Sequence, residues 1–327
     1  MTVFDRVGAV IIGRNEGDRL KACLASVQGL MGHVVYVDSG STDESTSFAR
    51  GVGAQVVELE KSVPFTAARA RNAGLNALSM AVPSLSFVQF IDGDCMLQSD
   101  WPAIATAFLE ANPNVAVACG RRRERMPGAS IYNRMCDWEW DTPIGKAKAC
   151  GGDALMRIAA LQSVNGFNPT LIAGEEPELC LRLRQSGWQI WRLDVEMTLH
   201  DAAMLSVVQW WRRGVRGGHA RAEGMALHGR MPAHHGVKET LRALAWALLL
   251  PGATAGLALV GVSWAWLLLL AYPAQAVRLA RVFGWDQLVS WQRAGLLVMV
   301  KFPEAIGILE YWSARLRNRR VALIEYK

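Results

Sequence analysis

The stretch Phe87-Val-Gln-Phe-Ile-Asp-Gly-Asp94 decides the fold, because a run typical of a buried strand ends directly in two acids separated by one glycine. Similar strand-like runs occupy residues 7–12, 34–37, 55–59 and 115–118. Amphipathic stretches lie between them, at residues 18–28, 67–81 and 101–110, and a further helix is expected to start at the capping cluster 41–43. Alternation of strands and helices predicts an α/β fold with a mainly parallel sheet flanked by helices.

Asp92 and Asp94 are the first candidate site. In open parallel sheets, ligands bind beyond the carboxyl ends of the strands, where these two acids lie. Two acids at positions i and i+2, held by a tight turn, can present oxygens to one divalent cation. Oxygen ligands and a diphosphate suit Mg²⁺ or Mn²⁺. An isolated pair of this kind also occurs by chance in turns, so its position after a buried strand is what indicates a function.

Asp38 ends the second strand, within Val35-Tyr-Val-Asp-Ser-Gly-Ser-Thr-Asp43. A carboxylate at this position can accept the imide N–H of a nucleobase. The alternative is an Asx turn, a local bond from the carboxylate to nearby backbone, for which Asp43 is the better candidate.

A third candidate is the acidic segment Ile172-Ala-Gly-Glu-Glu-Pro-Glu-Leu-Cys-Leu-Arg-Leu-Arg184. Its acids open a predicted helix, with Pro177 early enough to be tolerated. Acids in a first turn often only complement the helix dipole. Here they follow Gly151, Gly152 and Gly174, where backbone can approach a ligand closely. A carboxylate at such a helix start could take a proton from an acceptor hydroxyl.

The chain of 327 residues is 51% hydrophobic and carries a formal charge of +6. Basic residues concentrate at 212–242 and 315–320, beside apolar sequence, which indicates lipid headgroups or phosphates as partners. The six cysteines form no CxxC pair, and the first residues lack a signal-peptide pattern, so we expect a cytoplasmic location.

Residues 243–277 contain no charged side chain, which is long for one spanning helix and short for two. Basic residues flank both ends and favour the cytoplasmic side. We therefore expect a re-entrant helical hairpin; a kinked single span and a buried soluble hairpin are the alternatives. Residues 285–320 are predicted to form interfacial amphipathic helices. The expected domains are 1–236, catalytic, and 237–327, membrane-associated.

These pieces, in this order, resemble glycosyltransferase family 2 over roughly residues 7–215. The resemblance implies a GT-A fold, a nucleotide-binding α/β sheet with a DxD motif at Asp92 and Asp94. The turn within Val10-Ile-Ile-Gly-Arg-Asn-Glu16 resembles the family's first strand and Asn-Glu turn, although the usual proline is absent. The resemblance implies that the nucleotide lies along Arg14, Asn15, Glu16, Asp38, Ser41 and Arg71, beside the two acids of the DxD.

The same resemblance makes Glu176 the catalytic base, with Glu175 as its neighbour in place of the usual Glu-Asp pair. His200 stands where some members supply a third metal ligand. Gly151 and Gly152, with Trp211 and Arg212, are expected at the acceptor or diphosphate. Gln209-Trp-Trp-Arg-Arg213 matches the Gln-x-x-Arg-Trp signature of processive members only in part, which argues against a polymer-extruding synthase.

The resemblance implies an inverting transfer of a sugar from a nucleotide-diphosphate donor, UDP-sugar favoured, to a hydroxyl of a lipid-linked or membrane-proximal glycan. The reaction would need Mn²⁺ or Mg²⁺ and serve envelope or exopolysaccharide synthesis. We expect it at the cytoplasmic face of the inner membrane, with membrane lipids and no nucleic acid as partners. The alternatives are a lipid phosphate acceptor and an inactive membrane scaffold. A dinucleotide-binding oxidoreductase is disfavoured, because Gly13-Arg-Asn-Glu-Gly17 lacks the GxGxxG spacing.

Overall fold

A mixed sheet organises the first part of the chain in this computed structural model, which describes residues 6–230 and 232–319; nine strands are found in that part of the chain. The strands are β1 (Val7–Gly13), β2 (His33–Asp38), β3 (Gln55–Glu58), β4 (Phe87–Asp92), β5 (Cys95–Leu97), β6 (Val115–Glu124), β7 (Gly145–Ala147), β8 (Ala154–Arg157) and β9 (Gln189–His200). The helices among them are α1 (Asp18–Val27), α2 (Ser45–Gly51), α3 (Ala67–Ala81), α4 (Trp101–Ala111), α5 (Ile131–Glu139), α6 (Ile158–Ser163) and α7 (Glu175–Gln185).

The parallel part of the sheet has the order β3-β2-β1-β4. The central strands β1 and β4 are almost wholly buried, which explains why they read as mainly apolar runs, whereas the edge strand β3 is partly exposed. The register pairs Gly13 with Asp38 and Ile12 with Asp92. The ends of β2 and β4 therefore lie on either side of the end of β1, and this edge positions the candidate site.

Beyond β4 the order continues β8-β6-β9-β5, with β7 against β9. Here β8 runs antiparallel to both β4 and β6, and β9 is antiparallel to β5 and β7 but parallel to β6. The predicted α/β fold is confirmed. The sheet, however, is mixed rather than mainly parallel, because β8 runs antiparallel between β4 and β6, and β9 is antiparallel to both β5 and β7.

The chain divides into two compact units, Met1–Ala203 and Met204–Lys327. Residues 204–236, which the sequence analysis grouped with the catalytic domain, fall in the second unit. The outer ends of both predicted domains, residues 1–5 and 320–327, lie outside the described residues. The second unit is helical: α8 (Val207–His228), α9 (Val237–Leu244), α10 (Leu250–Leu259), α11 (Ala271–Phe283), α12 (Leu288–Met299) and α13 (Lys301–Leu316).

The apolar run forms two helical arms. A π-helical turn, Ala245–Leu249, joins α9 to α10, and a turn followed by the 3₁₀ segment Ala265–Leu270 leads into α11. The Tyr272 hydroxyl donates a hydrogen bond to the carbonyl of Trp246 at 2.6 Å, and this bond connects the two arms. Among the residues that the structure describes, one helix, Val237–Leu259, has the length and composition to cross a membrane. Its placement at a bilayer stays a prediction.

Candidate active site

The Asp92–Asp94 turn is fixed by backbone contacts with β1. The Gly93 N–H donates to the carbonyl of Ile12 at 2.8 Å. A Cβ built on Gly93 would lie 3.2 Å from Cγ of Glu16, so the predicted Asn-Glu turn lies directly against the two acids. Two loops that are distant in sequence thus meet at one sheet edge.

Asp94 and His200 form the first cluster able to hold a cation. Strand β5 pairs with β9 so that Cys95 faces His200, and the Nε2 atom of His200 lies 3.2 Å from Oδ2 of Asp94. Both side chains are buried. Burial, followed by the charge of Arg122, lowers the pKa of His200 to about 4. The imidazole is therefore neutral at physiological pH, the form in which histidine binds metals.

Arg71 joins the DxD to the acidic helix. It is 2% exposed, and its guanidinium lies 2.9 Å from Oδ1 of Asp92, 2.9 Å from Oε1 of Glu175 and 3.0 Å from Oε1 of Glu176. One arginine thus contacts three carboxylates, one at the end of β4 and two at the start of α7. Asp92 belongs to the same turn as Asp94, so the DxD and Glu176 share one site.

Glu176 lies in the first turn of α7, next to the left-handed Gly174 that precedes the helix. Burial and then the negative charge of Glu175 raise the pKa of Glu176 to about 7, while Arg71 acts in the opposite direction. A carboxyl whose pKa lies near neutrality can both accept and release a proton under physiological conditions. The predicted base is therefore electrostatically suited to that role.

Asp153 is a site residue that the sequence analysis missed. It is fully buried; its Oδ1 accepts the Asp92 N–H at 3.0 Å, and its Oδ2 accepts from the Thr198 hydroxyl at 2.8 Å. Oxygens of Asp92 and Asp153 with the Cys95 sulfur form a second group close enough to surround an ion. The pair Gly151-Gly152 before an acid was the signal that could have identified it.

Arg122 is the second residue missed. Its Nη2 lies 2.9 Å from Oδ2 of Asp153 and 3.5 Å from Oδ2 of Asp92. Its guanidinium carbon lies 5.5 Å from the ring centroid of Trp140, and the Trp140 and His200 rings pack edge-to-face with centroids 4.7 Å apart. Arg122 therefore connects both acidic clusters, and it stands in an arginine triplet, 121–123, in which nothing in the sequence distinguishes it.

Gly152 is required by close packing against this network. A Cβ at Gly152 would lie 2.5 Å from Oδ2 of Asp92 and 2.6 Å from Nη2 of Arg71. At Gly151 the nearest atom would be Nη2 of Arg122, at 3.7 Å. Of the two predicted glycines, Gly152 is thus the one whose backbone touches the acids.

The predicted nucleotide-binding loops are tied to each other. Asn15, in the left-handed region at φ 53°, accepts the Thr42 N–H at 2.7 Å and donates its own N–H to the Ser41 hydroxyl at 2.9 Å. Arg14 lies over the ring of Phe65, 5.9 Å from its centroid. Asn15 and Ser41 are therefore placed together, beside Glu16, at the carboxyl ends of β1 and β2.

Asp38 forms the Asx turn that the sequence analysis considered as the alternative. Its Oδ2 accepts the N–H groups of Gly40 and Ser41 at 2.9 and 2.8 Å, and its Oδ1 accepts from the Tyr36 hydroxyl at 3.1 Å. Asp43 was the expected turn residue, and it also accepts a backbone N–H, that of Ser45. Asp38 thus shapes the loop, and its contact with a base stays a prediction.

Trp211 and Arg212 lie on α8, in the second unit. Trp211 packs edge-to-face against Trp210, with ring centroids 6.4 Å apart, and Arg212 is exposed. Gln209 has a local role: it completes a capping box with Ser206 at the start of the helix. The capping box gives Gln209, one of the two residues that match the processive signature, a structural role that does not involve an acceptor.

A mixed α/β sheet with a DxD at the end of β4 and a glutamate pair opening α7 defines the class of GT-A proteins. Residues 9–158 match the family model of glycosyl transferase family 2, the family that the sequence resembles. A mannosyltransferase from Pyrobaculum calidifontis, solved in complex with GDP-Man and Mn²⁺, has the same fold, with a TM-score of 0.64 and 19% identity over 93% of this chain and 87% of that one.

Two curated relatives are similar in sequence. A pre-mycofactocin glycosyltransferase of Mycobacterium tuberculosis is 26% identical over 208 residues, 60% of this chain. The chain covers 42% of that relative's length. The succinoglycan biosynthesis protein ExoA of Rhizobium meliloti is 24% identical over 241 residues, covering 67% of this chain and 69% of the relative.

Proposed function

We propose that this protein transfers a sugar from a nucleotide-diphosphate donor to an acceptor hydroxyl, with inversion at the anomeric carbon and Glu176 as general base. The observation that carries the proposal is the contact of Arg71 with Asp92, Glu175 and Glu176. It holds the base beside the acids that face the donor diphosphate. The match of residues 9–158 to the glycosyl transferase family 2 model supports the nucleotide-sugar donor.

A divalent cation suits the residues present. Asp94 and the neutral His200 offer an oxygen and a nitrogen 3.2 Å apart, and Asp92 is in the same turn. Mg²⁺ prefers oxygen ligands throughout, so the imidazole favours Mn²⁺. When bound, the cation would neutralise the charge of the departing diphosphate.

Side chains of the protein remove the proton of the acceptor hydroxyl and hold the acidic groups of the site in place. Glu176 takes the proton of the acceptor hydroxyl on the face of the sugar opposite the leaving group. Arg71 keeps Glu176 and Asp92 in a fixed arrangement, and Arg122 does the same for Asp92 and Asp153. Asn15, Glu16 and Ser41 line the loops where the nucleotide, UDP by preference, would lie.

The acceptor is proposed to be a lipid-linked or membrane-proximal glycan at the cytoplasmic face of the cell membrane. Large apolar side chains of the hairpin support this assignment because they are exposed: Leu249, Leu259, Val260, Trp264 and Trp266. Exposed apolar surface of this extent is typical of a membrane contact. The named role of one relative in succinoglycan biosynthesis agrees with an envelope or exopolysaccharide product.

Nucleotide release from a panel of nucleotide sugars, with Mn²⁺ or Mg²⁺ and a membrane lipid extract, tests the proposal. In Glu176→Gln we expect turnover to fall about 10²- to 10⁴-fold, the usual contribution of a general base. Donor affinity, measured by calorimetry, should be retained, and the exposed Glu139→Gln is the matched control. Little loss in Glu176→Gln would indicate a lipid phosphate acceptor, which is already ionised. Absence of release with every donor would indicate the inactive scaffold.

A further inference from the structure

A buried ionic cluster in the second unit has no part in the proposed chemistry. Glu304 of α13 is 3% exposed, and each of its oxygens faces a cation. Nη1 of Arg221, from α8, lies 2.8 Å from Oε1, and Nζ of Lys301 lies 2.6 Å from Oε2. Two cations, a mostly buried lysine and a partly exposed arginine, therefore share one carboxylate.

Close helix packing fixes this cluster in place. A Cβ on Gly218 would lie 1.9 Å from the carbonyl oxygen of Glu304, and one on Gly307 would lie 1.9 Å from that of Val215. The backbones of α8 and α13 are thus in direct contact at Glu304 and again at Gly307. Arg221 and Lys301 are consequently presented by rigid elements.

The cluster carries more positive charge than it neutralises. Arg242, at the end of α9, is exposed and is a third cation; α9 packs against α13, the helix that starts at Lys301. Burial lowers the pKa of Lys301, and the charges of Arg221 and Arg242 lower it further, whereas Glu304 raises it. Three cations against one carboxylate leave an excess of +2. A partly dehydrated excess of this kind is costly unless an anion balances it.

The cluster also lies where the apolar sequence starts. Arg242 is the last charged residue before the uncharged run 243–277. The exposed Leu248 and Leu249 follow it within two helical turns. In a helix that enters a bilayer, residues at this level meet the phosphate groups of the lipids, and basic side chains there bind anionic lipids.

From this arrangement we propose that Arg221, Arg242 and Lys301 form a binding site for the phosphate group of an anionic membrane lipid. The site rests on the membrane association that is part of the proposed function, and adds to it a defined phosphate contact at the start of the hairpin. Guanidinium and ammonium donors suit phosphate oxygens, and Glu304 orients Arg221 and Lys301 through its two ion pairs.

Binding of the full chain to phosphatidylcholine vesicles, with and without phosphatidylglycerol, tests the site. Arg242→Gln and Lys301→Gln should each weaken binding to the phosphatidylglycerol vesicles about fivefold, the effect of one basic side chain at an anionic surface. Glu304→Gln should strengthen binding, because it removes the carboxylate that pairs with Arg221 and Lys301, whereas a merely structural lesion would weaken it. Lys61→Gln, an exposed charge change in the first unit, is the control.

The variant Arg278→Gln distinguishes a defined phosphate site from a general attraction of basic residues to the anionic vesicle surface. Arg278 is exposed at the far end of the apolar run, and its Nε donates to Gln275. A loss equal to that of Arg242→Gln would overturn the proposal, as would a thermal shift by inorganic phosphate that needs no vesicles and disappears in Arg242→Gln. Nucleotide release with detergent-solubilised membrane lipid extract in place of vesicles should stay unchanged in these variants. Its absence in the unmodified chain with every donor would contradict the proposed function, whereas the vesicle-binding results would still decide the lipid site.

Discussion

Glu176 is the residue whose environment most directly predicts how the activity depends on pH. Its pKa is raised to about 7, and the base acts only when ionised, so kcat/KM should increase with pH through this value and level off above it. The charge of Glu175 is one cause of the raised pKa. Glu175→Gln should therefore move the acid limb of the profile to lower pH. A profile whose inflection is the same in both proteins would contradict the assignment of the base.

Alanine substitutions at the neighbouring positions Gly152 and Gly151 should have clearly different effects on stability. A Cβ there would lie 2.5 Å from Asp92 and 2.6 Å from Arg71, so Gly152→Ala should lower the free energy of unfolding by about 1–3 kcal/mol, as overpacking does. At Gly151 the nearest atom would be 3.7 Å away, and Gly151→Ala should change stability by less than about 0.5 kcal/mol. Denaturant unfolding of both variants measures the contrast; equal losses would show that the packing argument is wrong.

Sequence identified the acids of this site but not the network around them. Asp92, Asp94 and Glu176 follow strand ends or open a helix, so local pattern alone marks them. Asp153 and Arg122 meet Asp92 only because β8 and β6 pair far along the sheet. Such strand pairing produces no periodic pattern in the sequence. An aspartate directly before a strand cannot be told from an ordinary turn residue by sequence alone.

Among the elements, the strands at residues 7–13, 33–38, 55–58 and 87–92 agree closely with the predicted runs. The first and last of these are mainly apolar because they are buried on both faces. Strand β9 was not predicted. It mixes charged with apolar residues, and its pairing with β6 contains three register shifts. Irregular strands of this kind depend on their neighbours rather than on a period of two, which is why the antiparallel part of the sheet escaped prediction.

The contact between α8 and α13 allows a test within one helix. Gly218→Ala places a methyl group 1.9 Å from the Glu304 carbonyl and should destabilise the second unit by at least about 1–3 kcal/mol. Gly217 has no atom nearer than 3.6 Å, so Gly217→Ala should be neutral or add up to about 1 kcal/mol through helix propensity. Hydrogen exchange of α8 and α13 reports the difference, and comparable protection in the two variants would refute the close approach.

At the scale of the whole molecule, the two compact units divide the proposed tasks, so their ligands should act separately. UDP with Mn²⁺ binds only the folded first unit in this proposal, and mass action then stabilises it by about 2.7 kcal/mol at a ligand concentration of 100 times Kd. Anionic vesicles should instead protect the arms of the hairpin, whose apolar side chains they cover. Hydrogen exchange of the full chain can follow both effects at once, since local opening is read segment by segment. UDP and Mn²⁺ should slow exchange in the loops that carry Asn15, Asp94 and His200 and leave residues 243–277 unchanged, and vesicles should do the reverse. Protection of the hairpin by the nucleotide alone would mean that the donor site and the apolar region are energetically coupled, and the division of tasks would then be wrong.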